Sequence, residues 1–109
     1  MGIKLPAPLT GYYASLRARD IEGVLALFAE TAVVEDEREE HHGKAAIRSW
    51  MRRTAEKYGA LEHEPTAFAE KDGVAIVTST VSGNFKGSPA TLRYTFTLEG
   101  DRIARLTIA

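Results

Sequence analysis

Residues 19–36, with the sequence RDIEGVLALFAETAVVED, contain a helical pattern followed directly by a strand pattern. Apolar residues recur there at spacings of three and four, which predicts a helix from Ile21 to Ala29 that begins at the N-cap Asp20. The β-branched residues within the segment 32–35 then predict a short strand that leads into a run of charged residues. The residues predicted to form the buried face of the helix are Ile21, Val24, Leu25 and Phe28.

A further helix is predicted on each side of this segment. The first would follow the extended, proline-containing lead-in MGIKLPAPLT, with regular structure beginning near Leu9. The third is predicted from Lys44 to Tyr58, because Gly59 is a typical C-terminal stop. The apolar face of the first helix would comprise Leu9, Tyr12, Tyr13 and Leu16, and that of the third Ile47, Trp50, Met51, Thr54 and Tyr58.

The second half of the chain changes from a helical to an alternating pattern. Four strands are predicted, at residues 61–70, 74–85, 90–98 and 102–109, and Pro65 marks the first of them as an edge strand or a bulged one. Helices followed by antiparallel strands predict an α+β domain, with the three helices packed on one face of the sheet. The mixed Thr, Ser and branched apolar residues of the other face suit a contact between two identical subunits, which predicts a homodimer.

Length and composition limit the class of protein. The 109 residues predict one domain, residues 1–109, and the formal net charge of −1 gives no general attraction for nucleic acid. The absence of cysteine excludes disulfides, thiolate nucleophiles and cysteine metal sites. With no signal-like N-terminus and no apolar run of membrane-spanning length, we expect a cytoplasmic protein with neither membrane nor nucleic-acid partners.

Eight consecutive ionisable residues, Glu35–His42, raise the question of whether one of them points inward. Most must face solvent, because burying an unpaired charge costs several kcal/mol. Asp36 differs, since it shares a strand face with Val34 and would enter the interior if Val34 is part of the core. Burial would raise its pKa toward neutrality, as suits a general base, whereas the alternative is a solvated turn residue. His41 and His42 beside Glu39 and Glu40 do not predict a metal site, because adjacent side chains of an extended segment diverge.

The segment YYASLRARDIEGVLALFAETAVVEDEREEHHGKAAIRSW, residues 12–50, resembles the nuclear transport factor 2-like superfamily, in particular its SnoaL-like and ketosteroid isomerase-like branch. The resemblance implies a cone-shaped fold, with three N-terminal helices on a curved, mostly antiparallel sheet. It also implies that Asp36 occupies the position of a general base and Tyr12 that of an oxyanion hydrogen-bond donor. Tyr94 stands where the isomerases have a protonated aspartic acid, so steroid isomerisation itself is not implied.

Two functions therefore remain open at this point. One is a cofactor-independent enzyme that uses Asp36, Tyr12 and Tyr94 on a small apolar molecule; the other is a non-catalytic ligand-binding or dimeric interaction module of the same fold. No cofactor or metal is expected in either case. The residues expected to line the ligand pocket are Leu16, Phe28, Val34, His42, Trp50, Phe68 and Phe96.

Overall fold

A computed structural model describes residues 4–109 as three helices and six strands. The helices are α1 (Ala7–Arg17), α2 (Ile21–Leu25) and α3 (Gly43–Tyr58). The strands are β1 (Phe28–Asp36), β2 (Glu39–His42), β3 (Glu62–Lys71), β4 (Val74–Ser82), β5 (Ala90–Glu99) and β6 (Arg102–Ile108).

All six strands form one curved sheet in the order β2-β1-β6-β5-β4-β3. Every neighbouring pair is antiparallel except β1 and β6, which run parallel. The three helices pack on one face, and alternate residues of β4 and β5 that point to this face are buried. The predicted α+β fold, with helices on one side of a mostly antiparallel sheet, is confirmed.

Helix α1 begins at Ala7, two residues before the expected start at Leu9. The lead-in prolines do not prevent this, because the first turn of a helix leaves its amides without intrahelical partners. At the other end, the amides of Arg19 and Asp20 donate to the carbonyls of Leu16 and Ser15 at 3.1 and 2.9 Å. This pair of hydrogen bonds is the Schellman motif. Arg19 occupies its left-handed position, with φ of 59°.

Helix α2 is shorter than the sequence pattern predicted. The predicted helix extended to Ala29, but α2 ends at Leu25 and β1 already begins at Phe28. Pairing with β6 explains the difference, since the Ile103 amide donates to the Leu27 carbonyl at 2.8 Å. A backbone that pairs in the sheet at this point cannot also continue the helix. The predicted N-cap is confirmed, because Asp20 accepts a hydrogen bond from the Gly23 amide at 3.0 Å.

The charged run contains a strand that the sequence pattern did not predict. Residues Glu39–His42 form β2, which pairs with the end of β1 in a hairpin that aligns Asp36 with Glu39. Glu37 and Arg38 form the two-residue turn, with φ of 52° and 67°. Positive φ at both positions is what a type I′ hairpin turn requires, although glycine or asparagine is usual there.

The other elements follow the sequence patterns closely. Helix α3 ends at Tyr58 before Gly59, whose φ is 69°. Strand β3 is an edge strand, and its register with β4 shifts between Pro65 and Ala67, as the proline suggested. Strand β4 ends at Ser82, three residues before the predicted end, because residues 83–89 form the connection to β5. Within residues 4–109, no helix is long and apolar enough to cross a membrane.

Candidate functional site

A cavity of about 700 Å³ lies between the helices and the inner face of the sheet. Its wall is mainly apolar, and the exposed residues among its lining show that it opens to solvent. Apolar wall residues from the helices are Leu16, Ile21, Val24, Trp50 and Met51, and those from the strands and connections are Leu61, Val81, Phe85, Leu92 and Ile108. Such a cavity suits a small apolar molecule.

Asp36 lines this cavity from the end of β1. The register of β1 turns Val34 into the core, where it is fully buried, and places Asp36 half-buried on the same face. Trp50 Nε1 donates a hydrogen bond to Asp36 Oδ2 at 3.1 Å. Burial raises the pKa of the Asp36 carboxyl above its ordinary value, and the hydrogen bond from Trp50 partly opposes this rise.

Tyr12 from α1 and Tyr94 from β5 line the same cavity. Their rings are almost completely buried against Phe96, with centroid distances of 5.2 and 6.3 Å. Burial raises the pKa of both phenols, and the nearby Asp36 charge raises each further. Within residues 4–109, neither hydroxyl has a hydrogen-bond partner in the protein. Two neutral O–H donors are therefore available to a molecule inside the cavity.

Tyr13, the next residue of α1, has a different role. Its hydroxyl is hydrogen-bonded to the Ser79 hydroxyl at 2.9 Å, in a fully buried pair that joins α1 to β4. Burial raises the pKa of Tyr13 to about 12, partly opposed by this hydrogen bond. The pair fixes α1 over the sheet and thereby positions Tyr12 at the cavity wall.

A second, polar cavity of about 500 Å³ meets the first at Asp36, Trp50 and Tyr58. His41 lines it and stacks on the Trp50 ring, with centroids 5.8 Å apart. The imidazole is buried, and within the described residues its Nε2 atom has no hydrogen-bond partner. A positive charge on His41 would lower the pKa of Asp36. The carboxylate therefore lies between an apolar cavity and a polar one.

The residues expected to line the pocket divide into two groups. Leu16 and Trp50 line the apolar cavity. Phe28, Val34 and Phe96 do not, because their side chains are fully buried in the core.

The two remaining predicted lining residues also lie elsewhere. Phe68 packs on the core five residues along β3 from the cavity residue His63, a distance of about 17 Å in an extended strand. His42 is exposed on β2, where its Nε2 lies 3.0 Å from Glu40 Oε1. No cluster of metal-ligating side chains occurs in the part of the chain that the structure describes.

Several residues of the cavity wall were missed by sequence reasoning. The strand neighbours Glu62 and Glu64 favour a paired surface histidine at position 63, but His63 is half-buried and lines the cavity. Burial lowers the pKa of its imidazole, and the charge of Arg19 lowers it further. Its pairing with Val81, which also lines the cavity, explains the orientation. That pairing depends on the shift of register after Pro65, and the proline indicated a bulge but not which residue of β4 would pair with His63.

Comparison with known proteins agrees with this architecture. A SnoaL-like domain matches residues 9–106. The chain therefore belongs to the SnoaL-like family, and its fold is that of nuclear transport factor 2-like proteins, as the resemblance implied. No curated protein matches it in sequence.

Many solved structures are similar to this chain, and three of them illustrate the similarity. Protein SMa1630 from Sinorhizobium meliloti, for which a polyketide cyclase function has been suggested, is 37% identical, with 96% of this chain and 95% of that chain covered and a TM-score of 0.92. A hypothetical protein from Catenulispora acidiphila DSM 44928, with a ketosteroid isomerase-like fold and bound trimethylamine, is 17% identical, with coverages of 97% and 86% and a TM-score of 0.84. A nuclear transport factor 2-like protein of unknown function from Cytophaga hutchinsonii ATCC 33406 is 13% identical, with coverages of 100% and 93% and a TM-score of 0.77.

Proposed function

We propose that this chain is a cofactor-independent enzyme that transfers a proton on a small apolar carbonyl compound. The observation that carries the proposal is that a half-buried carboxylate and two tyrosine hydroxyls without protein partners face one apolar cavity. A desolvated carboxylate beside neutral donors is a typical arrangement for general-base chemistry. Membership in the SnoaL-like family and the similarity to SMa1630 support a reaction of the cyclase or isomerase type.

In the proposed reaction, Asp36 removes a proton from the carbon next to the carbonyl group. The C–H bond breaks, its electron pair moves into the enolate, and the negative charge develops on the carbonyl oxygen. Tyr12 and Tyr94 donate hydrogen bonds to that oxygen. They stabilise the negative charge of the transition state more than the small charge of the ground-state carbonyl. Return of the proton to another carbon would complete an isomerisation. Attack of the enolate on a second carbonyl of the same molecule would form a C–C bond and an alkoxide, and return of the proton from Asp36 to that alkoxide would complete a cyclisation.

The Trp50 hydrogen bond has a defined place in this proposal. It occupies Asp36 Oδ2, so the carboxylate has a fixed orientation and Oδ1 remains the oxygen to accept a proton from the ligand. Because the same bond favours the ionised carboxylate, it keeps the base deprotonated although burial raises its pKa.

The proposal is tested by deuterium exchange. A panel of apolar ketones is incubated with the protein in D₂O, and exchange at the carbon next to the carbonyl is followed by NMR. We expect catalysed exchange with the wild type and none above background with Asp36→Asn, which should still bind the same ketones. Tyr12→Phe and Tyr94→Phe should each slow exchange by roughly 10²-fold, the usual cost of removing an oxyanion donor. Exchange that persists in Asp36→Asn would contradict the assignment of the base.

A non-catalytic binding module is the second candidate, and one contact favours it. Asp36 already accepts a hydrogen bond from Trp50, as a purely structural carboxylate would. In this case the ketones would bind to the wild type and to Asp36→Asn alike, and neither protein would catalyse exchange.

We also propose that two copies of the chain associate through the outer face of the sheet. This face presents threonines and Ile76, whose 37% exposure is unusual for a large apolar side chain in this molecule. Light scattering at micromolar concentration should give the dimer mass for the wild type and the monomer mass for Ile76→Asp. A monomer mass for the wild type would contradict the proposal.

A further inference from the structure

Arg19 occupies a backbone position where an arginine is unfavourable. It is the left-handed residue of the Schellman motif that ends α1, with φ of 59°, and glycine is the usual residue there because it has no Cβ. A non-glycine residue at such a position is expected where its side chain has a function.

The guanidinium of Arg19 is fixed at the cavity by one nitrogen only. Its Nη1 atom donates to the Leu61 carbonyl at 2.8 Å and lies 3.4 Å from the Leu16 carbonyl. Within residues 4–109, Nε and Nη2 have no hydrogen-bond partner, and no carboxylate lies within 4.0 Å of the group. The edge formed by Nε and Nη2 is therefore free, and this edge matches the two oxygens of a carboxylate.

The other charged groups of the cavity wall also favour binding of an anion. Asp20 accepts a hydrogen bond from the Gly23 amide, and Glu37 accepts one from the Tyr58 hydroxyl at 2.8 Å and lies 3.6 Å from Lys57. Lys86, in contrast, has no carboxylate within 4.0 Å in the described part of the chain. The carboxylates of the wall thus have protein donors, whereas its two cations have no protein anion.

Arg19 and Lys86 belong to neighbouring parts of the wall. Arg19 is bonded to the residue before β3, and Lys86 lies in the connection after β4, the strand that pairs with β3. Leu61 contacts this connection, because a Cβ added at Gly83 would lie 2.7 Å from Leu61 Cδ2. The charge of Arg19 also reaches the cavity, as its effect on the pKa of His63 shows.

We infer that Arg19 determines ligand specificity by binding a carboxylate on the otherwise apolar ligand of this cavity. The inference rests on the proposed function, because it assigns the chemical class of the molecule that the same cavity binds. The ligand would lie with its apolar body against the Leu16 and Leu92 walls, its carboxylate on the free edge of Arg19, and its carbonyl group toward Asp36 and the two tyrosines. Lys86 adds positive charge near Arg19. Its ammonium group is a flexible point charge, so it selects less strongly than a guanidinium for the planar geometry of a carboxylate.

The test uses two probes of nearly equal shape, naphthalene-2-carboxylate and naphthalene-2-carboxamide, titrated by calorimetry at neutral pH. We expect the wild type to bind the carboxylate roughly five- to tenfold more tightly, because charge-assisted hydrogen bonds are about twice as strong as neutral ones. The preference should disappear in Arg19→Gly, with the affinity for the carboxamide nearly unchanged. Glycine suits the left-handed position, so this variant should fold.

Arg52→Gln is the matched control, since it removes one exposed positive charge from α3, and Arg52 lines neither cavity and lies outside the proposed dimer face. It should retain the full preference for the carboxylate. Equal affinity of the wild type for both probes would overturn the inference but not the proposed function. A preference that survives in Arg19→Gly would also overturn it, and Arg19 would then only tie α1 to the start of β3. If neither probe bound to the wild type, the proposed ligand cavity itself would be contradicted, and the inference with it.

Discussion

Two adjacent tyrosines of α1 should respond very differently to loss of their hydroxyl groups. The Tyr13 hydroxyl is paired with Ser79 in a fully buried hydrogen bond of 2.9 Å, whereas the Tyr12 hydroxyl has no protein partner within the described residues. Tyr13→Phe leaves the Ser79 hydroxyl buried and unpaired, which costs about 1–3 kcal/mol. Tyr12→Phe removes no hydrogen bond and should change the free energy of unfolding by much less. Both changes delete one oxygen from a nearly inaccessible ring, so each is a control for the other.

A double-mutant cycle isolates the paired hydroxyls. Ser79→Ala leaves the Tyr13 hydroxyl unpaired and should also cost about 1–3 kcal/mol, whereas replacing both partners by apolar groups can be nearly neutral. The two single losses sum to about 2–6 kcal/mol, and the double variant should be more stable than this sum predicts by up to that amount.

Urea unfolding followed by circular dichroism measures these differences directly. Each kcal/mol should also lower the melting temperature by roughly 4 °C in a domain of this size. Equal losses in Tyr12→Phe and Tyr13→Phe, or strict additivity in the cycle, would contradict the assigned role of the buried hydrogen bond. The Tyr13–Ser79 pair would then not be what holds α1, and with it Tyr12, over the sheet.

Three further variants test other parts of the site and core. Because burial raises the pKa of Asp36 above its ordinary value of 3.8, the wild type loses stability as pH rises through the folded-state pKa. Asp36→Asn does not ionise, so its melting temperature should rise relative to that of the wild type between acidic and neutral pH. A difference in melting temperature that stays constant with pH would contradict this. Trp50→Phe removes the hydrogen bond to Asp36 Oδ2 and should raise the pKa of that carboxyl further, as an NMR titration can detect; an unchanged or lowered pKa would contradict the assigned role. Phe96→Ala should cost about 3–5 kcal/mol in urea unfolding, because this fully buried ring supports Tyr12 and Tyr94, and a loss below about 1 kcal/mol would indicate a loosely packed core.

Most of the fold was predictable because periodicity reports which residues are buried. The helical spacing of residues 44–58 and the alternation of residues 90–98 each gave the correct element. The prediction was wrong where pairing overrode the local pattern. Phe28 continues the helical spacing of α2 but pairs with Ile103 of β6, a partner 75 residues away. The segment Glu39–His42 has the composition of a solvated loop, yet pairing with β1 makes it a strand.

The site was less predictable than the fold. Strand alternation correctly gave Asp36 the same face as Val34, but it could not distinguish a residue that lines a cavity from one enclosed in the core. Phe96 and Tyr94 illustrate this limit, because both point inward from β5 and only Tyr94 reaches the cavity. Arg19 was missed for another reason, since its importance follows from a backbone conformation that sequence spacing does not report.

The proposed role of Asp36 as a base requires a partly desolvated carboxylate, with a pKa raised by burial at the apolar cavity. Its most direct test is an NMR titration of the carboxyl carbons of the unliganded protein, with the Asp36 resonance assigned by its disappearance in Asp36→Asn. We expect a pKa above the ordinary value of 3.8. A pKa at or below 3.8 would show that hydrogen bonding to the ionised form outweighs desolvation, and would contradict the role of Asp36 as a tuned base.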